Sequence, residues 1–420
     1  MAFRAPIGTR DLLAPESTRA RLLVDRFAAL AERAGYAQIV VPMFEELGVF
    51  LRLGEATEVV TKEMYDFDDK GGRRIALRPE LTASIVRAFV EHRPTTPWKV
   101  WCAGPNFRYE RPQKGRWRQF DQVDLEVLGV DDPYCDVEVI ALGWRFFEAL
   151  GLRQLRLKLN SLGDGGDRAR YVEALRDYLH AHQADLTDDS RKTLERNPLR
   201  VLDSKRPPDA AVIDGAPSIL DHLSDDAAQH FVTVQAGLDA VGIPYEVTPR
   251  LVRGLDYYVR TTFEVASSAL DAAQDAVGGG GRYDGLSEDL GGPPTPGMGF
   301  ALGVDRTLLA CDAEGVFAAP AIAAAVFVVD ATGGREALLV VEELRAAGVG
   351  ADRAFDDRSM KAQMKAAGRS GASVAVIIGE QERTEGTAVV RDLRTSEQET
   401  VGRPDLVEQV KKLTGGGMDS

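Results

Sequence analysis

The chain has 420 residues, too many for one small core, and at roughly 150 residues per domain two or three domains are expected. Its formal net charge of -14, from 51 basic and 65 acidic side chains, excludes holding nucleic acid by overall charge, so any such contact has to be a local basic patch on an acidic body. Cys102, Cys135 and Cys311 are widely separated and odd in number, which excludes a disulfide framework and a Cys-x-x-Cys metal site, and no stretch reaches the roughly 18 apolar residues of a membrane span.

With no apolar run around Arg4, the expected setting is a soluble protein of the reducing cytoplasm. From Pro15 the spacing of Leu23, Phe27, Leu30 and Ala34 predicts a helix capped by Ser17 and ended by Gly35, then a strand over 36–41 that Pro42 closes. A short helix is expected over 84–91, strands over 98–102 and 118–128 with a polar loop between them, a helix over 136–150 and a strand over 155–159. Residues 165–242 change to polar helices rich in Asp, Ala and Arg, interrupted by Asn197-Pro198 and Pro207-Pro208, and read as an inserted helical subdomain. Strands return at Tyr245 and run past a turn at 278–281 to a helix after Gly303, with a boundary near 315–320. From there, strands over 325–330, 349–355 and 373–378 alternate with helices over 335–347 and 359–367, which implies a largely parallel sheet. No Gly-x-Gly-x-x-Gly follows its first strand, so a dinucleotide site is unsupported, and 415–420 reads as a frayed tail.

The densest chemistry lies in Arg253-Gly-Leu-Asp-Tyr-Tyr-Val-Arg-Thr-Thr-Phe-Glu264, where alternation would set Tyr258, Arg260, Thr262 and Glu264 on one face of a strand. A solvated outer face would explain the charges, but an Arg-Gly entry with paired tyrosines suits a ligand pocket better. Over 118–128, Val123, Leu125 and Val127 alternate with Gln122, Asp124 and Glu126, giving one apolar and one strongly polar face. The loop before it carries Arg111, Lys114, Arg116 and Arg118 against Glu110, with Trp117 among them, a composition suited to phosphate contacts and base stacking. Gly278-Gly-Gly-Gly-Arg-Tyr-Asp-Gly285 lacks the Lys-Ser/Thr of a phosphate-binding loop.

Taken together these segments resemble the histidyl-tRNA synthetases, a family of class II aminoacyl-tRNA synthetases. The likeness runs from Ile7-Gly-Thr-Arg-Asp-Leu-Leu13 to Ser359-Met-Lys-Ala-Gln-Met-Lys365. The first helix with its strand and Pro42 resembles motif 1, Phe107-Arg108-Tyr109-Glu110-Arg111 with the following strand resembles motif 2, and Gly297-Met-Gly-Phe-Ala-Leu-Gly-Val-Asp-Arg306 resembles motif 3. The resemblance implies an α/β and α+β multidomain chain: a class II catalytic domain on an antiparallel sheet over 1–320, the helical insertion 165–242 within it, and a C-terminal α/β anticodon-binding domain over 321–420. Arg108 and Arg253 would hold the ATP α-phosphate, Arg253 also the histidine carboxylate, and Arg306 the γ-phosphate. Glu80, Thr82 and Gln122 would bind the α-amino group, since a desolvated ammonium needs a charged partner. Glu126 and Tyr258 would bind the imidazole, whose one donor and one acceptor need opposed partners, with Tyr257 and Tyr283 beside them. Arg111, Gln113, Lys114, Arg116 and Arg118 would receive the acceptor end of tRNA. The implied activity is ATP-dependent ligation of L-histidine to tRNA(His) by a homodimer, with Mg²⁺ accompanying ATP. Trp117 stands where the family commonly has tyrosine and Asp121 where it commonly has histidine. The alternatives are the regulatory subunit of ATP phosphoribosyltransferase, a synthetase-like protein without the anticodon domain, and an RNA-binding module without catalysis.

Overall fold

The computed structural model describes residues 3–52, 59–202, 204, 206–251, 254–271, 275–320, 324–356 and 358–415. The expected tail therefore lies, beyond Gly415, outside the described residues. The chain divides into two compact units, Met1–Ala318 and Ala319–Ser420.

The first unit is built on an eight-stranded sheet. Its strands are β1 (Ala37–Gln38), β5 (Trp98–Phe107), β6 (Gln119–Leu128), β7 (Leu155–Ser161), β8 (Glu246–Val247), β9 (Val259–Ser267), β10 (Ala276–Arg282) and β11 (Gly297–Gly303), in the order β1-β5-β6-β11-β10-β9-β7-β8. All central neighbours are antiparallel, and only the short edge strands β1 and β8 pair parallel. A small sheet of β2 (Phe44–Glu46), β3 (Tyr65–Asp68) and β4 (Arg74–Leu77) falls between β1 and β5 in sequence, in the order β2-β4-β3.

One face of the large sheet is the core. Val123, Leu125 and Val127 of β6 pack with Leu23 and Phe27 of the helix Glu16–Arg33 and with Trp144 and Phe147 of the helix Pro133–Ala149. Phe300 stacks on Phe263 at 5.9 Å and meets Phe147 edge-on at 6.0 Å, so two strands and a helix share one aromatic cluster. The helical region splits between two cores. Tyr171, Leu175 and Leu179 of the helix Gly165–Ala181 pack with Leu194, Leu199 and Val201, whereas Phe231, Val234 and Leu238 of the helix Asp225–Ala240 join the large core.

Four expectations for this unit change. The first helix starts at Glu16 behind Pro15 with no side-chain cap, so Ser17 lies inside its first turn. The strand after it is only β1, because beyond Ile39, whose N–H still reaches the Trp101 carbonyl, the chain leaves β5. The glycines 278–281 form the middle of β10 and not a turn: a side chain at Gly280 would strike the backbone of Gly299 on β11, so close strand approach demands glycine there. Arg260 has φ +47, which breaks the alternation of β9; it pairs with Asp131 at 2.9 Å and does not share a face with Tyr258 and Glu264.

A buried ion cluster ties β10 to two helices. Arg282 and Asp136 are both fully buried; the guanidinium donates to both Asp136 carboxylate oxygens and to the carbonyls of Val130 (2.9 Å) and Asp132 (3.1 Å), while His230 Nε2 meets Asp136 Oδ2 at 2.8 Å. Removing one partner strands a buried charge. Arg282→Ala is therefore expected to cost about 3–5 kcal/mol of stability, read as a lowered urea midpoint, with Arg282→Lys intermediate because it lacks the planar fork.

The second unit carries β12 (Val326–Asp330), β13 (Ala351–Arg353), β14 (Val374–Ile378), β15 (Thr387–Asp392) and β16 (Gln398–Gly402), in the order β13-β12-β14-β15-β16. β13, β12 and β14 are parallel, but β15 and β16 return antiparallel, so the sheet is mixed and not largely parallel. Its own core centres on Val326, Val328, Val340, Leu344, Val374, Val376 and Val410.

Candidate active site

The polar face of the large sheet floors a cavity of about 470 Å³. Gln122 and Asp124 of β6, Glu264 of β9, Gly278 and Gly279 of β10 and Ala301 and Gly303 of β11 all line it. The β6 alternation read from sequence is thus the cavity floor, not a wet outer face.

Glu80 and Thr82 enter at the start of the helix Thr82–His92. Glu80, not Thr82, satisfies the open helix end: its carboxylate accepts from the N–H groups of Thr82 (2.7 Å) and Ala83 (2.8 Å). Thr82 Oγ1 instead donates to Glu126 at 2.6 Å, and Tyr283 donates its hydroxyl to the other Glu126 oxygen. Glu126 and Tyr283 are buried immediately behind the cavity-lining residues, and Tyr257 bridges outward, its ring 5.7 Å from Tyr283 and 4.6 Å from Tyr258. Glycine makes this possible. A side chain at Gly299 would collide with the Glu126 carboxylate, and one at Gly297 with the Tyr283 ring.

Burial pushes the Glu126 carboxyl up to about 8, although the Thr82 and Tyr283 hydrogen bonds pull it down; Glu80 adds a further upward push. Because the folded value lies above the unfolded one near 4.5, the folded protein holds the extra proton between them. That contribution to stability is complete below about 4.5 and is lost as pH rises toward 8. Glu126→Gln is expected to flatten the fall in melting temperature of the ligand-free protein across this window. An unchanged slope would show that Glu126 does not titrate there.

Three arginines were expected at the phosphates. Arg108 follows β5 directly, donates from Nε to the Pro79 carbonyl (2.9 Å), lies over Phe120 at 5.4 Å and lines the cavity. Arg306, in the first turn of the helix Val304–Glu314, donates to the Ala276 carbonyl (2.9 Å); burial, then the charge of Arg116, lowers its affinity for its proton. Arg253 lies outside the described residues, though Gly254, Leu255, Tyr257 and Tyr258 just after it line the cavity.

The loop between β5 and β6 is divided. Arg111, Gln113 and Lys114 are exposed. Arg116 lines the cavity and pairs with Glu110 at 2.8 Å, while Arg118 stacks over Tyr109 at 3.8 Å and is held to the Glu110 carbonyl. Arg10 lies over Trp117 at 4.7 Å and pairs with Asp305, closing a neighbouring cavity of about 240 Å³ that Lys114 also borders. Asp121, the other departure from the family pattern, lines the main cavity, its carboxyl raised by burial and then by Asp305.

Sequence reasoning missed several lining residues. Arg200 comes from the inserted helical region, which gave no local sign of reaching the site. Asp124 was legible only as one member of a polar face. Among the described residues no group of three or more His, Cys, Asp or Glu side chains could hold a metal ion. No helix among them is long and apolar enough to cross a membrane.

The second unit has a cavity of about 340 Å³ past the ends of β12 and β13. Arg335, Arg353, Arg358 and the 59 % exposed Phe355 rim it, with Arg353 over the Phe355 ring at 4.6 Å. Gln363 braces its floor by accepting from the Asp330 N–H (3.0 Å) and donating to the Asp330 and Arg358 carbonyls (both 2.6 Å). Cations beside an exposed ring form a surface suited to a nucleobase and its phosphate.

Comparison with known proteins agrees with this geometry. Residues 8–307 match the family model for histidyl-tRNA synthetase, and 324–413 match that for the anticodon binding domain. The histidine–tRNA ligase of Rhodococcus erythropolis is 49% identical over 417 residues, covering 98% of both chains, and that of Mycobacterium tuberculosis is 49% identical over 421 residues, covering 99% of both. The crystal structure of apo Staphylococcus aureus histidyl-tRNA synthetase superposes with a TM-score of 0.83 at 36% identity, covering 98% of this chain and 100% of that one. The chain belongs to the histidyl-tRNA synthetase family, with the class II catalytic fold and a C-terminal anticodon-binding domain.

Proposed function

We propose that the chain is a histidine–tRNA ligase whose large cavity activates histidine with ATP and then passes it to tRNA. The observation that carries this is one cavity lined by Arg108, Arg306 and Thr82, with Glu126 and Tyr283 buried behind it and hydrogen-bonded through Thr82: cations for phosphate and opposed polar groups for an imidazole.

In the first step a histidine carboxylate oxygen bonds to the ATP α-phosphorus and the bond to the bridging oxygen breaks, releasing pyrophosphate. In the second, the terminal ribose hydroxyl of tRNA attacks the carbonyl and AMP leaves. Neither step needs a covalent enzyme intermediate; positioning and charge neutralisation suffice. Arg108 and Arg253 serve the α-phosphate, Arg306 the γ-phosphate, Glu80, Thr82 and Gln122 the α-ammonium, and Glu126, Tyr257, Tyr258 and Tyr283 the imidazole side. Arg116, beside Arg306, serves the nucleotide as well as the tRNA. Mg²⁺ accompanying ATP would neutralise phosphate charge, drawing its ligands mainly from phosphate and water.

Cytoplasmic function and a homodimer belong to this reading. Exposed Val40, Met43 and Phe44, just after the first helix, support a subunit interface there. The regulatory-subunit alternative is disfavoured by the matched anticodon-binding domain and by Arg108 and Arg306 in the cavity. Histidine-dependent exchange of labelled pyrophosphate into ATP, followed by charging of tRNA(His), tests the assignment. Absence of exchange in folded protein would refute it.

A further inference from the structure

We infer that Asp124 is a substrate-contacting residue whose carboxylate receives an N–H of the amino-acid ammonium group. The inference rests on the reading of the large cavity as a histidine site, and gives it an acceptor that the family resemblance did not assign.

Asp124 sits at the centre of β6, opposite Cys102 on β5 and Ala301 on β11, and lines the cavity while only 1 % exposed. Its Oδ1 is buried and has no hydrogen-bond partner among the described residues. Leaving a buried carboxylate unpaired is costly, and a carboxylate serving only the fold would be engaged by its neighbours. Both nearby carboxylates are engaged in that way: Glu80 by two backbone N–H groups, Glu126 by Thr82 and Tyr283. The Gln122 carbonyl oxygen also already accepts from Asn106 at 2.5 Å. An ammonium brings three donors and a full positive charge, whereas a neutral imidazole brings one N–H, so the ammonium is the better match to an unpaired buried carboxylate. Burial, then Glu126 and Glu80, hold the Asp124 carboxyl well above its ordinary value, the state that an arriving cation relieves.

Two ligands isolate the contact. L-Histidinol keeps the ammonium and imidazole but lacks the carboxylate; imidazolepropionate keeps the carboxylate and imidazole but lacks the ammonium. By calorimetry, Asp124→Asn is expected to weaken histidinol binding at least about tenfold while changing imidazolepropionate binding by less than about twofold. Asp124→Ser should behave alike, and neither variant should melt far below the parent: no hydrogen-bond partner among the described residues is orphaned, and buried Arg78, which loses the nearby charge, keeps its own bonds to the Val41, Pro42 and Pro105 carbonyls. Equal weakening of both ligands, or no weakening while the parent binds histidinol, overturns the role of Asp124 alone. A parent that binds neither ligand overturns the histidine reading and this inference with it.

Discussion

Arg108→Ala is expected to lower histidine-dependent pyrophosphate exchange by roughly a hundred- to a thousandfold in a protein that melts normally, the loss typical of removing one preorganised partner of transition-state charge. Nε is fixed on the Pro79 carbonyl and the guanidinium lies over Phe120, so the cation is oriented before the nucleotide arrives. Among the described residues its side chain makes one hydrogen bond, to a backbone carbonyl, and one ring contact, and its charge is the smallest of the main influences on the buried carboxyls of Glu80 and Asp124, which is why stability should change little. Arg108→Lys keeps the charge without the fork and should fall between. Arg253→Ala, argued from its sequence position ahead of the cavity-lining Tyr257 and Tyr258, should likewise cost at least roughly a hundredfold. Near-normal exchange in either folded variant would remove that arginine from the α-phosphate.

The parts of the site that were legible in the sequence are those where a regular period carries the chemistry. Gln122, Asp124 and Glu126 alternate with Val123, Leu125 and Val127, and a strand can do only one thing with that pattern. Where the backbone departs from regularity the reading failed. Arg260 in the left-handed region ends the alternation of β9, and glycines that ordinarily signal a turn line a strand because the backbone of Gly299 on β11 crowds it. Long-range neighbours were equally hidden. Nothing local tells that Arg200 reaches the cavity, that Asp136 will meet Arg282, or that Glu80 rather than Thr82 serves the helix end. In the C-terminal unit, β15 and β16 were missed: β15 sends Ala388 and Val390 into the core but over only six residues, and β16, with exposed Gln398, Glu399 and Thr400, offers little apolar alternation.

Removing the chain from residue 320 onward is expected to leave pyrophosphate exchange within about twofold while lowering tRNA charging by roughly 10²- to 10⁴-fold, the range by which a second tethered contact raises avidity. Spared exchange follows from the division of the chain at Ala318: the C-terminal unit has its own core, and every described residue lining the large cavity precedes it. Lost charging follows from the rim of Arg335, Arg353, Arg358 and Phe355, where three arginines outnumber Asp356, which pairs with Arg358, and Asp330, whose carboxylate is held by Thr332 and Ala337, leaving a local excess of cations of the kind an acidic chain needs for RNA. The loop between β5 and β6 supplies a graded control. Replacing exposed Arg111 and Lys114 by alanine should weaken charging and make the salt dependence of tRNA affinity shallower, since fewer counterions are released, yet spare exchange. Arg116→Ala should affect both reactions, because that side chain lines the cavity and acts electrostatically on Arg306, and Arg118→Ala should disturb the loop through its stack on Tyr109. If the truncated protein lost exchange in parallel with charging, the C-terminal unit would be supporting the catalytic fold, and its assignment to tRNA would fall; if it charged tRNA normally at physiological salt, recognition would lie wholly in the first unit.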